Sequence, residues 1–252
     1  MHRSFCLIIL LFLSGLSLIG TTQAQDSASL VLDVYLSKTG GRQLWEKTSA
    51  LRTEGVYAEM NGGYHQVVAQ DAPQQFIFIW YRDGRMLMSS KSAGEDALIN
   101  KQCIFDGQFT FLQVQGHDTI SAVSNAHSMT EARRVYGRFC PQVYLLDTQE
   151  EVDITYAGKE SIDGQVYFIV AFEDETKTSL WYINEQTGFL YIMGDLASGN
   201  YTLLSDYREV NGKWLAFKEQ TYQNRKLIYN KVIQKASFDV EEMLCEDVSF
   251  GQ

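Results

Sequence analysis

The sequence predicts a single α+β domain in which antiparallel β-strands dominate and a few short helices are added. From residue 51 onward, dipeptides that close β-hairpins recur between runs rich in β-branched and aromatic residues. Their spacing is typical of an up-and-down meander, whereas a parallel sheet needs helices that alternate with its strands. These turn signals are Asn61-Gly62-Gly63, Asp83-Gly84, Asp106-Gly107, Asp163-Gly164, Thr187-Gly188, Ser198-Gly199 and Asn211-Gly212.

The runs between these turns are the predicted strands. In one of them Val152, Ile154 and Tyr156 alternate with polar residues, whereas 75–81 and 166–172 are almost continuously apolar and need cover on both faces. We therefore expect a sheet with one mostly dry face. The strands are predicted near residues 51–60, 64–70, 74–81, 85–91, 97–104, 109–115, 150–160, 165–174, 177–184, 189–196, 200–210, 213–222 and 226–236.

Three helical segments are predicted. The first has Ser27 or Ser29 as its cap and ends at Gly40-Gly41, and the second lies near residues 44–48. The third runs from about 128 to 146, and Pro141 should kink or split it. Because this helix interrupts the meander, it suggests a lid or plug against the sheet, although plain core packing is the alternative. The apolar positions are Leu30, Val31, Val34 and Tyr35 in the first helix, Leu44 and Trp45 in the second, and Val135, Tyr136, Phe139, Val143 and Leu146 in the third.

The first 24 residues have the features of a cleavable secretory signal peptide. Arg3 supplies a positive charge, an apolar run covers 5–19, and the small residues Thr22 and Ala24 occupy the positions that a signal peptidase requires. The apolar run is shorter than the ~20 residues that span a bilayer, which disfavours an uncleaved anchor. We expect cleavage after Ala24 and a periplasmic mature chain of a single domain, residues 25–252.

The charge balance limits the classes of partner. The 252-residue chain has a net charge of −10, and removal of residues 1–24 takes away one basic and no acidic residue, which leaves −11. Such a surface repels phosphate backbones and is not attracted to anionic headgroups, so nucleic acid is excluded as an expected partner. Nothing in the composition indicates an oligomer, and we expect a monomer.

No pattern of an enzyme or a cofactor site is found in the mature sequence. His65, His117 and His127 are scattered, and the mature chain contains no nucleophile elbow, phosphate-binding loop or dinucleotide fingerprint. Three cysteines without a C-x-x-C pair, Cys103, Cys140 and Cys245, form neither a disulfide scaffold nor a zinc site. We expect no metal, no cofactor and no catalysis, and we interpret Cys140 as a buried structural thiol.

A family resemblance appears between residues 141 and 217. The motifs there are Tyr156-Ala157-Gly158-Lys159-Glu160, Trp181-Tyr182-Ile183-Asn184 and Ser205-Asp206-Tyr207-Arg208-Glu209-Val210-Asn211-Gly212, and the opening Thr39-Gly40-Gly41 with Trp45 fits the same pattern. The chain thereby resembles the LolA/LolB-like superfamily of outer-membrane lipoprotein-sorting and periplasmic lipid-carrier proteins, in its divergent Bacteroidetes-type form. The resemblance implies an unclosed, half β-barrel whose concave apolar face is covered by helices and receives acyl chains. It departs from the family at Ala216, where a proline is common.

The sequence favours a carrier or chaperone for a lipid or an acylated lipoprotein. A long dry sheet face has more apolar lining than about three short helices cover, which favours a cavity; a core filled by the protein's own side chains is the alternative. The alternative is a non-enzymatic envelope module that binds a protein partner with the same half-barrel and has no open cavity. The predicted ligand-binding residues, chosen for their adaptable aromatic, methionine and aliphatic side chains, are Phe76, Phe78, Trp80, Met86, Met88, Trp181, Leu203, Ile228 and Val232.

Overall fold

The computed structural model describes residues 27–60, 73–82, 85–91, 98–105, 108–115, 118–125, 140–148, 152–174 and 177–241. Three helices are present in these ranges: α1 over 27–38, α2 over Arg42–Glu46 and α3 over Pro141–Thr148. The strands are β1 Ala50–Glu59, β2 Gln74–Tyr81, β3 Met86–Lys91, β4 Leu98–Phe105, β5 Gln108–Gln115, β6 Asp118–Asn125, β7 Asp153–Ile162, β8 Gln165–Asp174, β9 Lys177–Asn184, β10 Leu190–Asp195, β11 Asn200–Val210, β12 Lys213–Gln223 and β13 Lys226–Phe238.

All the described strands belong to one antiparallel sheet. Its order is β6-β5-β4-β3-β2-β1-β13-β12-β11-β10-β9-β8-β7, so β6 and β7 are its two ends and the sheet is not closed into a barrel. The chain meanders outward from β1 to β6, returns to the far edge at β7, and meanders back until β13 pairs with β1. The predicted fold class, an unclosed antiparallel meander with a few helices, is confirmed.

Short turns join consecutive strands of the meander at positions that the sequence predicts. Asp163-Gly164 joins β7 to β8 and Asn211-Gly212 joins β11 to β12, and in both pairs the backbone has positive φ, as two-residue hairpin turns require. Asn224-Arg225 also has positive φ and joins β12 to β13, although it contains no glycine. The predicted turns at 61–63, 83–84 and 106–107 lie outside the described residues.

Helix α1 is amphipathic, but its buried stripe differs from the prediction. Val31 and Tyr35 are buried as expected, whereas Leu30 and Val34 are 68% and 47% exposed. The helix carries apolar residues on more than half of its circumference, so the three-four spacing did not identify the buried side. Ser29 lies inside the helix rather than at its cap. The buried positions are Ala28, Val31, Leu32, Tyr35 and Leu36.

The end of α1 is fixed by the carbonyl oxygen of Thr39. This oxygen accepts a hydrogen bond from the indole nitrogen of Trp45 at 2.9 Å and one from the backbone nitrogen of Trp214 at 3.0 Å. Gly40 has φ +124°, and a Cβ there would lie 2.7 Å from the Gly212 carbonyl oxygen. Glycine is therefore required where α1 ends against the β11–β12 turn, and α1, α2 and β12 are joined at one point.

Two predicted boundaries change. Cys140 is outside any helix and Pro141 is the first residue of α3, a position where proline needs no hydrogen-bond partner for its nitrogen. The predicted helical residues before 140 and the predicted strand at 64–70 lie outside the described residues. Strand β6, over Asp118–Asn125, was not predicted, because its aspartate, asparagine and alanine content weakens the strand signal.

Candidate functional site

The helices cover one face of the sheet, which we call the helix-covered face. It is the face toward which Phe76, Phe78 and Trp80 of β2 point, and its first apolar cluster includes Trp45 of α2 and Val143 of α3. The buried members of this cluster are almost all fully enclosed, so this half of the face is dry. Its buried residues are Trp45, Leu51, Tyr57, Phe76, Phe78, Trp80, Met86, Cys140, Val143, Leu215, Phe217, Ile233 and Phe238.

A second apolar cluster lies under α1. Tyr35 packs edge-on against Trp181, with 6.2 Å between the ring centroids, and Tyr144 of α3 lies 6.0 Å from the same indole. Helices α1 and α3 thus meet above Trp181. The buried residues of this cluster are Ala28, Val31, Leu32, Tyr35, Leu36, Leu145, Val170, Phe172, Trp181, Ile183, Leu190, Met193 and Leu204.

The structure brings six of the nine predicted ligand-binding residues to the helix-covered face. Phe76, Phe78, Trp80 and Met86 are buried in the first cluster, Met88 packs against it, and Trp181 belongs to the second.

The other three are placed elsewhere. Leu203 pairs with Ile192 and packs in a cluster on the opposite, outer face. Val232 pairs with Val56 and Lys218, whose side chains are also on the outer face. Ile228 has no partner in β12, at a β-bulge, and its carbonyl oxygen accepts a hydrogen bond from the Met60 backbone nitrogen at 2.8 Å. These three residues do not share a lining with the other six, whose role in ligand binding stays a prediction.

A small cavity lies between the two apolar clusters, where α1 and α3 meet the sheet. Its volume is about 10 Å³, close to the least that holds one water-sized group. The helix-covered face is therefore nearly filled by the protein's own side chains at this point. The lining consists of Tyr35, Thr53, Pro141, Gln142, Leu204, Tyr207, Leu215, Ala216, Glu219 and Ile233.

An ion pair is buried beside this cavity. The Nζ of Lys231 lies 2.8 Å from Oε1 of Glu219, and the two residues are 1% and 6% exposed. The lysine also lies over the ring of Phe76, 5.3 Å from its centroid. Burial raises the pKa of the Glu219 carboxyl, and the nearby ammonium of Lys231 opposes that shift. A charged pair thus stands in an otherwise apolar face.

Two hydroxyl groups that line the cavity have no hydrogen-bond partner in the described part of the chain. They are Oη of Tyr35, on α1, and Oγ1 of Thr53, on β1, and their residues are 0% and 2% exposed. Burial raises the pKa of the Tyr35 phenol well above its ordinary value, so this group stays protonated and able to donate. Buried hydroxyls normally find partners, which makes this pair of atoms unusual.

The remaining polar groups of the lining are already engaged. Tyr207 donates to the Leu190 carbonyl at 2.5 Å, and Gln142 donates from Nε2 to the Trp214 carbonyl at 3.1 Å. The thiol of Cys140 donates to Oε1 of Gln142 at 3.6 Å. The unpartnered donors of the cavity are therefore Tyr35 and Thr53.

The polar side chains at this cavity, Tyr35, Thr53 and Glu219 with its partner Lys231, were not predicted as a site from the sequence. The only signal in the sequence was the alternation Leu215, Phe217, Glu219, in which a carboxylate continues a buried apolar register. Tyr35 was predicted as an apolar helix residue, and nothing in the sequence set Thr53 apart.

Other types of site find no support in the described ranges. They contain no group of three or more histidine, cysteine, aspartate or glutamate side chains arranged to hold a metal. Cys140 is a buried thiol that donates to Gln142. None of the helices in these ranges is both long and apolar enough to cross a membrane. Cys103, Cys245 and the histidines at 65, 117 and 127 lie where no side chain is described.

Comparison with known proteins gives matches among solved structures. The chain is similar to a DUF1329 family protein from Desulfovibrio piger, with 11% identity, a TM-score of 0.47, and coverage of 86% of this chain and 95% of that one. It is also similar to a putative outer membrane lipoprotein-sorting protein domain from Vibrio parahaemolyticus, with 10% identity, a TM-score of 0.47, and coverage of 88% of this chain and 95% of that one. A third similar structure is the LolA superfamily protein NE2245 from Nitrosomonas europaea, with 7% identity, a TM-score of 0.46, and coverage of 88% of this chain and 96% of that one.

All three TM-scores are below 0.5, so these similarities support no argument about the family or the site. At such identities the likeness concerns the fold alone, and no residue role or ligand is transferred from them. No protein-family model matches the sequence, and no curated protein matches it.

Proposed function

We propose that the protein is a non-enzymatic periplasmic carrier or chaperone that shields an acyl chain of a lipid or lipoprotein between its sheet and its helices. One observation carries the proposal: an unclosed sheet presents a continuous apolar and aromatic face, and the described cover is three short helices. The acyl chain would contact Phe76, Phe78, Trp80, Met86, Met88 and Trp181.

Ligand entry requires a helix to leave the sheet. This cavity of about 10 Å³ is too small for an acyl chain, so a chain that binds under α1 must take the place of buried side chains such as Val31, Leu32 and Leu36. Burying these three side chains is worth about 5–9 kcal/mol, and burying an acyl chain of about fourteen methylenes is worth about 11 kcal/mol. Because these two free energies are similar, exchange between helix and ligand is close to balanced, as a carrier that must release its cargo requires.

Cross-linking α1 to the sheet tests the proposal. An ideal Cβ at Gly188, in the turn before β10, lies 3.4 Å from Cγ1 of Val34, in the middle of α1, which is within reach of a disulfide after small adjustments. In a V34C/G188C protein that also carries C103S and C245S, we expect oxidation to lower uptake of a pyrene-labelled phospholipid from vesicles by at least ~10-fold. Pyrene fluorescence measures the uptake, and dithiothreitol should restore it.

Two controls accompany this experiment. The single G188C variant in the same background should respond to neither oxidation nor reduction. A second cross-link, K38C/G188C, joins positions whose Cβ atoms are 3.4 Å apart and should act in the same direction. Undiminished uptake by the fully oxidised proteins, or no acyl lipid in organic extracts of the natively purified protein, contradicts the carrier.

The small volume of the cavity under α1, about 10 Å³, favours a second candidate, an envelope module that binds a protein partner without opening. Such a module keeps its partner when α1 is cross-linked, whereas the carrier loses its lipid. Pull-down with the oxidised V34C/G188C protein as bait therefore separates the two functions.

A further inference from the structure

The cavity between α1 and the sheet combines two donors without acceptors and a neutral ion pair. Tyr35 and Thr53 both line it, Tyr35 from the helix and Thr53 from β1. An acceptor atom in this space would supply the partner that these hydroxyls lack in the described part of the chain. It would also connect α1 to the sheet on which the helix lies.

The volume and the charges limit what that acceptor is. About 10 Å³ accommodates one oxygen-sized group. An ionised carboxylate is disfavoured, because Glu219 lines the same cavity and the buried lysine beside it, Lys231, is already bonded to it at 2.8 Å. A neutral carbonyl oxygen brings no charge and accepts two hydrogen bonds. Water satisfies the same geometry when no ligand is bound.

We infer that this cavity is a carbonyl site: the Tyr35 and Thr53 hydroxyls bind the ester or amide carbonyl oxygen of an acyl group whose hydrocarbon chain lies along the apolar clusters. The inference rests on the proposed function and deepens it, since it names neutral acyl esters and amides as the ligand class. Ether-linked chains and ionised fatty acids are the ligands that it disfavours. The carbonyl would also hold α1 closed over the cargo.

A matched lipid pair tests this inference. Diacyl and dialkyl phosphatidylethanolamine share headgroup and chain length, and they differ in the carbonyl groups. We expect the wild-type protein to bind the ester lipid about tenfold more tightly than the ether lipid, because the ether lipid has no carbonyl oxygen to accept buried hydrogen bonds from the two hydroxyls. Competition of each lipid against the pyrene-labelled probe measures the ratio.

Two isosteric variants test whether the hydroxyls cause the difference in affinity between the ester lipid and the ether lipid. Tyr35→Phe and Thr53→Val each remove one oxygen and keep the shape, so the double variant should bind both lipids equally, with affinity for the ether lipid unchanged. Because the lost hydroxyls have no partner in the described structure, thermal unfolding should show that both single variants are as stable as the wild type.

The possible outcomes are distinct. An ester preference that persists in the double variant, or its absence from the wild type, overturns the carbonyl site and leaves the carrier standing. Binding of neither lipid by the wild type overturns the carrier and the carbonyl site together. If the double variant unfolds, the Thr53→Val protein alone decides, because it should lose part of the preference.

Discussion

Replacing Lys231 with methionine is expected to lower the free energy of unfolding by about 3–5 kcal/mol, because it leaves the carboxylate of Glu219 buried without its counter-ion. Glu219 is 6% exposed and forms an ion pair with the Lys231 ammonium at 2.8 Å. For a domain of this size the loss corresponds to a fall in Tm of roughly 10 °C. Urea or thermal unfolding followed by tryptophan fluorescence measures it.

The same variant should show a characteristic pH dependence. Burial raises the pKa of Glu219 above the ordinary value of 4.5, and loss of the cation should raise it further. Between 4.5 and that raised pKa the folded protein binds a proton that the unfolded chain does not, so stability falls as the pH rises through this window. The deficit of K231M relative to wild type should therefore be smaller at pH 5 than at pH 8.

Two proteins serve as controls for this effect. Lys213 is also a buried lysine on the helix-covered face, but its Nζ lies 4.1 Å from the centroid of Phe238 instead of pairing with a buried carboxylate. Lys213→Met should therefore cost only about 0.5–2 kcal/mol. The double variant E219M/K231M should recover most of the stability, since apolar pairs often replace buried ion pairs at no cost. If K231M and K213M are equally stable, the ion pair between Glu219 and Lys231 does not contribute to the free energy of unfolding as we describe.

The pairing of Glu219 with Lys231 shows why the site was harder to predict than the fold. The β12–β13 hairpin begins with Gln223 opposite Lys226, and in a regular ladder Glu219 would then lie opposite Asn230. A β-bulge shifts the register between Thr221 and Tyr222, which brings Lys231 opposite Glu219 instead. A one-residue slip exchanges the two faces of a strand.

The same bulge explains why two predicted ligand-binding residues are misplaced. Without it, Val232 would share a face with Glu219 and the apolar lining. With it, Val232 lies on the outer face and Ile228 is the residue left out of the ladder. Neither the Asn224-Arg225 turn nor the sequence of the strands predicts the bulge.

Features that depend on local sequence were predicted well. Turn dipeptides with glycine after aspartate or asparagine require positive φ, and they mark the β7–β8 and β11–β12 hairpins correctly. The continuous apolar run in β2 predicted cover on both faces, and Ile77 and Ile79 are indeed buried on the side opposite Phe76 and Phe78. Which of those two sides meets the helices depends on distant parts of the chain, and no local pattern contains that information.

Gly55→Ala is expected to destabilise the protein by about 3 kcal/mol, because the added methyl group meets backbone that cannot move aside. Gly55 lies in the middle of β1, at the register shift of the β1–β13 pairing, where the first and last strands join the two halves of the sheet. An ideal Cβ there would be 2.0 Å from the carbonyl oxygen of Val232 and 3.0 Å from Cα of Ile233. Overpacking of this kind usually lowers the free energy of unfolding by about 1–3 kcal/mol. We expect a value at the upper end of this range, because the methyl group meets backbone atoms.

Gly164→Ala is the matched control for this change, since it adds the same methyl group in open space. A Cβ at Gly164 has nothing within 4 Å, and its φ of +79° costs only the strain of a left-handed alanine, about 1–2 kcal/mol. Because a Cβ on Gly55 would also lie 3.0 Å from Cε1 of Phe76, G55A should disturb the proposed acyl lining and lower phospholipid uptake, whereas G164A should leave uptake unchanged. Equal urea midpoints for the two variants would show that the pairing of β1 with β13 adjusts to the added methyl group and is not rigid.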